Sequence, residues 1–123
     1  MTDFQYFNNN PNNEHIEDCV CRAISTAAGL NYRTVNKMLN LVAQVYSCDK
    51  LCVNCYQHLL SNIFDYTCHY CNFEYTVQDI AESRSDDTLI IRVKGHLTCS
   101  VKGKILDIWD CSEKLVDCYW VVE

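Results

Sequence analysis

Cys19, His96 and Asp107 are a thiol, an imidazole and a carboxylate in that order along the chain. Nucleophilic acyl chemistry requires these three groups: an attacking thiolate, a base that holds its proton, and an acid that fixes the imidazole tautomer. The residues around Cys19 single it out among the ten cysteines. Asp18 before it is a good helix N-cap, and Val20, Ala23, Ile24, Ala27 and Ala28 follow at helical spacing up to a stop at Gly29. Cys19 is thereby expected in the first turn of a helix, where free N–H groups and the helix dipole favour the thiolate. Its own N–H supplies one donor for a tetrahedral oxyanion, and the side-chain amide of Asn13, or of Asn12, is expected to supply the second. Cys21 points roughly 200° round the same helix and is assigned to the core.

His96 follows Gly95 where one extended segment gives way to the next. Its partner follows from register. If Lys102-Gly103 is a two-residue hairpin turn, Val101 pairs with Lys104, His96 then faces Trp109, and Thr98 faces Asp107. Asp107 is diagonal to His96 on the same face, which makes it the expected orienter. Asp110, an odd number of residues away, projects from the opposite face unless a bulge intervenes, and stands as the reserve.

These groups need elements to hold them. A second helix is predicted from about Tyr32 to Tyr46, capped by Asn31, with Val35, Met38, Leu39, Val42 and Val45 as its apolar stripe. A third is predicted from Leu51 to Phe64, and a short fourth from Thr76 to Ser83, where Thr76 and Asp79 have capping-box spacing. After Asp87 the pattern becomes extended, with strands expected at Leu89–Val93, Leu97–Val101, Lys104–Trp109 and Val116–Val122. The layout is α+β, with N-terminal helices packed against a C-terminal antiparallel sheet. The 123 residues, 49% of them hydrophobic and with only 3 Gly and 1 Pro, read as one domain. Residues 1–13, rich in asparagine, read as a loop lead-in, and 45–75 as a candidate Cys-rich insertion.

Within that segment Cys52/Cys55 and Cys68/Cys71 are two CxxC pairs, the spacing of a zinc site. Cys52 and Cys55 also fall on the apolar stripe of the third predicted helix, which favours small core side chains and no required cofactor. A structural zinc on Cys52, Cys55, Cys68 and Cys71 is the alternative, with His58 and His69 as spare ligands. The cysteines are read as reduced thiols, since no secretory leader pattern precedes them and the aliphatic content suffices for an ordinary core. Net charge is −6, unsuited to a phosphate backbone or an anionic membrane, and no apolar run approaches roughly 18 residues. The expected partner is a protein or peptide, with no nucleic acid and no membrane, and the expected setting is a cytoplasm. Composition does not bear on oligomeric state. His15 is read as loop, and Trp109 and Trp120 as core or groove wall.

Asp18-Cys19-Val20-Cys21-Arg22-Ala23-Ile24, followed by Gly95-His96-Leu97-Thr98 and by Asp107-Ile108-Trp109-Asp110-Cys111-Ser112, resembles the small papain-like cysteine peptidases of phages and bacteria. The resemblance spans the first helix and the last 35 or so residues and leaves roughly 45–75 unmatched. It implies a papain-like fold in which Cys19 is nucleophile, His96 base and Asp107 orienter. The implied activity is that of a cysteine peptidase or a related thiol acyl hydrolase or transferase, in the host cytoplasm if the chain is phage-encoded. The family usually takes its oxyanion amide from a glutamine, where this chain offers Asn12 and Asn13. The alternative is an inactive papain-like binding module, zinc-stapled or not, that engages a host or phage protein.

Overall fold

A computed structural model describes residues 4–13 and 18–123. The helices are α1 (Cys19–Ala28), α2 (Tyr32–Tyr46), α3 (Val53–Gln57), which runs on into a π-helical stretch at His58–Ile63, and α4 (Val77–Ser83). The strands are β1 (Phe4–Tyr6), β2 (Thr67–Tyr70), β3 (Thr88–Val93), β4 (His96–Val101), β5 (Lys104–Asp107) and β6 (Val116–Val122). All six form one sheet in the order β1-β5-β4-β3-β6-β2.

The α+β class is as expected, but the sheet is mixed rather than antiparallel, and it is not confined to the C-terminal part. β1 lies in the segment read as a loop and pairs parallel with β5, Phe4 opposite Ile105 and Tyr6 opposite Asp107. β2 comes from the Cys-rich segment and pairs antiparallel with β6. Both are short edge strands whose sequences carry no period of their own; a neighbour's free backbone groups hold them.

Both faces of the sheet are covered, which explains why Leu89, Ile90 and Ile91 form a continuous apolar run instead of alternating. Ile90, Leu97, Cys99, Cys118 and Trp120 face α1, α2 and α3 and pack with Val20, Ile24, Leu39 and Leu60. Leu89, Ile91, Val93 and Val121 face the other way, onto Val77, Ile80 and Ala81 of α4. Cys55, Tyr56, Leu59 and Leu60 of the 45–75 segment are buried in the first of these cores.

Local signals account for most boundaries. Gly29 ends α1 in the left-handed conformation at φ 68°. Asn31 caps α2, its side chain accepting from the N–H groups of Arg33 and Thr34. Val35, Leu39 and Val42 of the predicted stripe are buried, whereas Val45 is exposed. The Thr76/Asp79 capping box closes in both directions on α4. Lys102 and Gly103 both have positive φ, 52° and 81°, as a two-residue type I′ turn requires. The register is the one predicted, Val101 opposite Lys104 and Ser100 opposite Ile105.

Two expectations about the helical layer are corrected. Asp18 occupies the N-cap position of α1 but makes no capping hydrogen bond; its carboxylate is paired with the buried Arg22 instead, because a buried guanidinium without a partner would cost several kcal/mol. The cysteines are not all reduced thiols: Cys48 and Cys55 form a disulfide, their Cα atoms 5.5 Å apart. Ser47 closes α2 in the left-handed conformation and turns the chain back on itself. That turn carries Cys48 to α3.

Candidate active site

Three element ends converge on one spot. Cys19 is the first residue of α1, His96 the first of β4 and Asp107 the last of β5. Gly95, at φ 73°, completes the tight Lys94-Gly95 turn that sets His96 opposite Val93. The β4–β5 register then brings Asp107 to the same face, and His96 Nε2 lies 2.7 Å from Asp107 Oδ2. His96 is hydrogen-bonded to the Cys19 thiol as well. With Nε2 committed to Asp107, Nδ1 is the nitrogen left for the sulfur.

The residues expected to act together are thus in contact as a row of sulfur, imidazole and carboxylate. Asp110 is not part of it. Its carboxylate accepts from the N–H and hydroxyl of Ser112, which shapes the turn after β5.

The row is electrostatically polarised. Burial opposes ionisation of Cys19, but the hydrogen bond from His96, the Leu97 N–H and the positive charges of His96 and Arg22 together hold its thiol below the ordinary value. Burial likewise opposes a charged His96, and its hydrogen bonds to Asp107, Cys111 and Cys19 outweigh that, pushing its pKa up to about 11. Asp107, although buried, is kept ionised by the hydrogen bond and charge of His96. Both shifts favour the thiolate–imidazolium form of the pair.

Behind it runs a second layer that the sequence did not reveal. Arg22 is buried between two carboxylates, its Nη1 on Asp18 and its Nη2 3.6 Å from Asp107 Oδ1. Asp18 Oδ2 also accepts from the Tyr32 hydroxyl at 2.6 Å and from Asn10 Nδ2 at 3.0 Å. The Ile108 N–H donates to Asp107 Oδ1 at 2.7 Å. Asp107 is therefore fixed at both oxygens, and Trp109 stands edge-on to His96 with ring centroids 4.8 Å apart. The i, i+4 spacing of Asp18 and Arg22 was a usable signal for half of this; the reach of Arg22 to Asp107 depends on how α1 lies across the sheet.

The expected oxyanion amide is not brought to this row. Asn13 is exposed, with φ 58° and its N–H bonded to the Asn10 carbonyl, and it lines neither cavity beside Cys19. Asn10, not Asn13, is the buried asparagine of that segment, and its amide serves Asp18. The backbone N–H of Cys19, in the first turn of α1, has no intrahelical acceptor and remains an oxyanion donor. His15 lies outside the described residues.

A cavity of about 310 Å³ opens beside the sulfur, lined by Cys19, Leu51, Val53, Tyr56, Arg92 and His96 among others. Arg92 is paired with Asp117, so it presents no unmatched charge to this cleft. Leu51 and Val53 belong to the segment closed by the Cys48–Cys55 disulfide. Trp109 is part of the site, while Trp120 is a core residue that donates to Ser61 Oγ at 2.9 Å.

The four cysteines of the zinc alternative are dispersed. Cys55 is bonded to Cys48, Cys52 is exposed at the cleft rim, Cys68 is hydrogen-bonded to Cys118, and Cys71 is buried with the α4 layer. Cys111, assigned to packing from sequence, is buried in the core under α4 and also touches the row, its thiol 3.9 Å from Asp107 Oδ2. Among the described residues no helix is long and apolar enough to cross a membrane. Comparison of the chain with protein-family models, with curated protein sequences and with solved structures gave no match.

Proposed function

We propose that this chain is a papain-like cysteine peptidase or a related thiol acyl hydrolase or transferase, acting on a protein or peptide. The observation that carries the reading is the hydrogen-bonded row Cys19–His96–Asp107 at the mouth of a cleft. A charged imidazole touching a half-buried thiol at a helix N-terminus is an arrangement that structural packing does not require and nucleophilic attack does.

In the proposed cycle the Cys19 thiolate attacks a carbonyl carbon, and the carbonyl oxygen becomes an oxyanion held by the Cys19 N–H. His96 gives its Nδ1 proton to the leaving amine as the C–N bond breaks, which leaves a thioester on Cys19. Water, deprotonated by the now neutral His96, attacks the thioester; the carboxylic acid departs and the thiolate–imidazolium pair is restored. Asp107 keeps the ring in place and stabilises its charge throughout. Replacement of water by an amine would make the same steps a transfer.

The test is acyl-enzyme formation. With p-nitrophenyl acetate the protein is expected to release nitrophenol in a burst, to carry one acetyl group on Cys19 by peptide mapping, and then to turn over. Cys19→Ser and His96→Ala are expected to abolish burst and turnover. Acetylation spread over several cysteines, or a burst that survives in His96→Ala, would contradict the proposal and favour a binding module on the same scaffold.

A further inference from the structure

The proposed chemistry leaves Cys111 without a task. It is a free thiol, 1% exposed, at the edge of the core under α4, and its sulfur turns from those apolar side chains toward Asp107 and His96. One ligand atom each from His96, Asp107 and Cys111 lies within 4.8 Å of the other two. We propose that these three residues form an inhibitory site for a divalent transition metal of the zinc class, which takes up the catalytic base as a ligand.

Geometry and outer contacts support it separately. Oδ2 of Asp107 lies 2.7 Å from His96 Nε2 and 3.9 Å from Cys111 Sγ. A cation seated among atoms so spaced sits about 2.0–2.5 Å from each, against zinc bond lengths of roughly 2.0–2.3 Å to nitrogen, oxygen and sulfur. Tetrahedral bonds of that length place ligand atoms roughly 3.3–3.5 Å apart, so binding opens the histidine–carboxylate contact by about 0.6 Å and draws the thiol inward.

The carboxylate is already oriented for single-oxygen ligation. Oδ1 is engaged by the Ile108 N–H and by Arg22, and Oδ2 is the oxygen that faces the histidine and the thiol. This outer layer is of the kind that fixes metal ligands.

A carboxylate, a neutral imidazole and a thiolate would together balance the two charges of zinc, the ligand protons leaving to solvent. The half-exposed Trp109 ring stands edge-on to His96 beside these ligands.

Nε2 bonded to a metal no longer pairs with Asp107, and the ring loses the orienter that lets Nδ1 give up and regain a proton. The inhibitory consequence rests on the reading of His96 as base; the binding itself does not.

The test measures metal directly. Zinc affinity is obtained by competition with a chromogenic zinc indicator at neutral pH, for the intact protein and for Cys111→Ser, Cys19→Ala and Cys68→Ala, each first checked for a native circular dichroism spectrum. Intact protein, Cys19→Ala and Cys68→Ala are expected to bind one zinc equally, and Cys111→Ser to bind at least about tenfold more weakly. Cobalt in place of zinc is expected to give a sulfur-to-metal charge-transfer band that is lost in Cys111→Ser. Binding that is unchanged in Cys111→Ser, or abolished in Cys19→Ala or Cys68→Ala, would overturn the proposal. These outcomes are independent of acyl-enzyme formation, so failure here and failure of the peptidase reading are distinguishable.

Discussion

Cys19 owes its character to neighbours that do not touch it in sequence. Burial alone would raise its pKa, as it raises that of Cys21, two residues along the same helix, to about 12. The difference between them is His96 and the Leu97 N–H beside Cys19, where Cys21 has burial and the negative charge of Asp18. The sign of the shift gives a pH prediction. A thiol of ordinary pKa gains roughly tenfold in alkylation rate per pH unit through neutrality, whereas a thiolate already ion-paired gains little. Cys19 is expected to show a shallower rise in alkylation rate with pH than an ordinary thiol, and Asp107→Asn to steepen it by removing the charge that holds the imidazolium. A rate that climbs steeply in the intact protein would remove the ion pair. The cysteine and its two partners were legible because residue type, helix position and strand parity all point to them. Cys111 and the Arg22 bridge were not, since each acts across elements whose relative placement no local pattern encodes.

At the scale of elements, α1 and α2 begin alike in sequence and differently in physics. Asn31 is a true cap, and Asn31→Ala is expected to cost about 1 kcal/mol in chemical denaturation. Asp18 stands at the matching position of α1 but neutralises a buried guanidinium and accepts from Tyr32 and Asn10. Asp18→Ala is expected to cost about 3 kcal/mol or more, because it leaves the Arg22 charge without its nearer partner; equal costs for the two variants would show that Asp18 is only a cap. Helices, the β4–β5 hairpin and the branched core strands were readable from period, caps and turn residues. β1 and β2 were not, because three or four residues are too few to show alternation and their stability is borrowed from β5 and β6. The predicted single helix over 51–64 is broken into α3 and a π-helical stretch, a change of hydrogen-bond register that apolar spacing alone does not report.

At the scale of the molecule, a sheet covered on both faces sets the site at the junction between the α1 N-terminus and the ends of β4 and β5. The segment that walls the cleft is tied by the Cys48–Cys55 disulfide, and a loop this short contributes roughly 2.5 kcal/mol in the chain-entropy account. Cys48→Ala is expected to lower the thermal midpoint while the dependence of Cys19 reactivity on His96 persists. Loss of that dependence would mean that the staple, rather than α1 and the sheet, positions the row. The fold class was legible from helical patterns giving way to extended ones; the mixed sheet and the disulfide were not, since both join residues through space.

The most direct measurement of the central claim, that His96 makes a thiolate of Cys19, is alkylation with limiting iodoacetamide at pH 6 followed by peptide mapping, on the intact protein and on His96→Ala. Label concentrated on Cys19 and lost in the variant is the predicted result. Label shared among the free cysteines, or a Cys19 signal unchanged without His96, would contradict it.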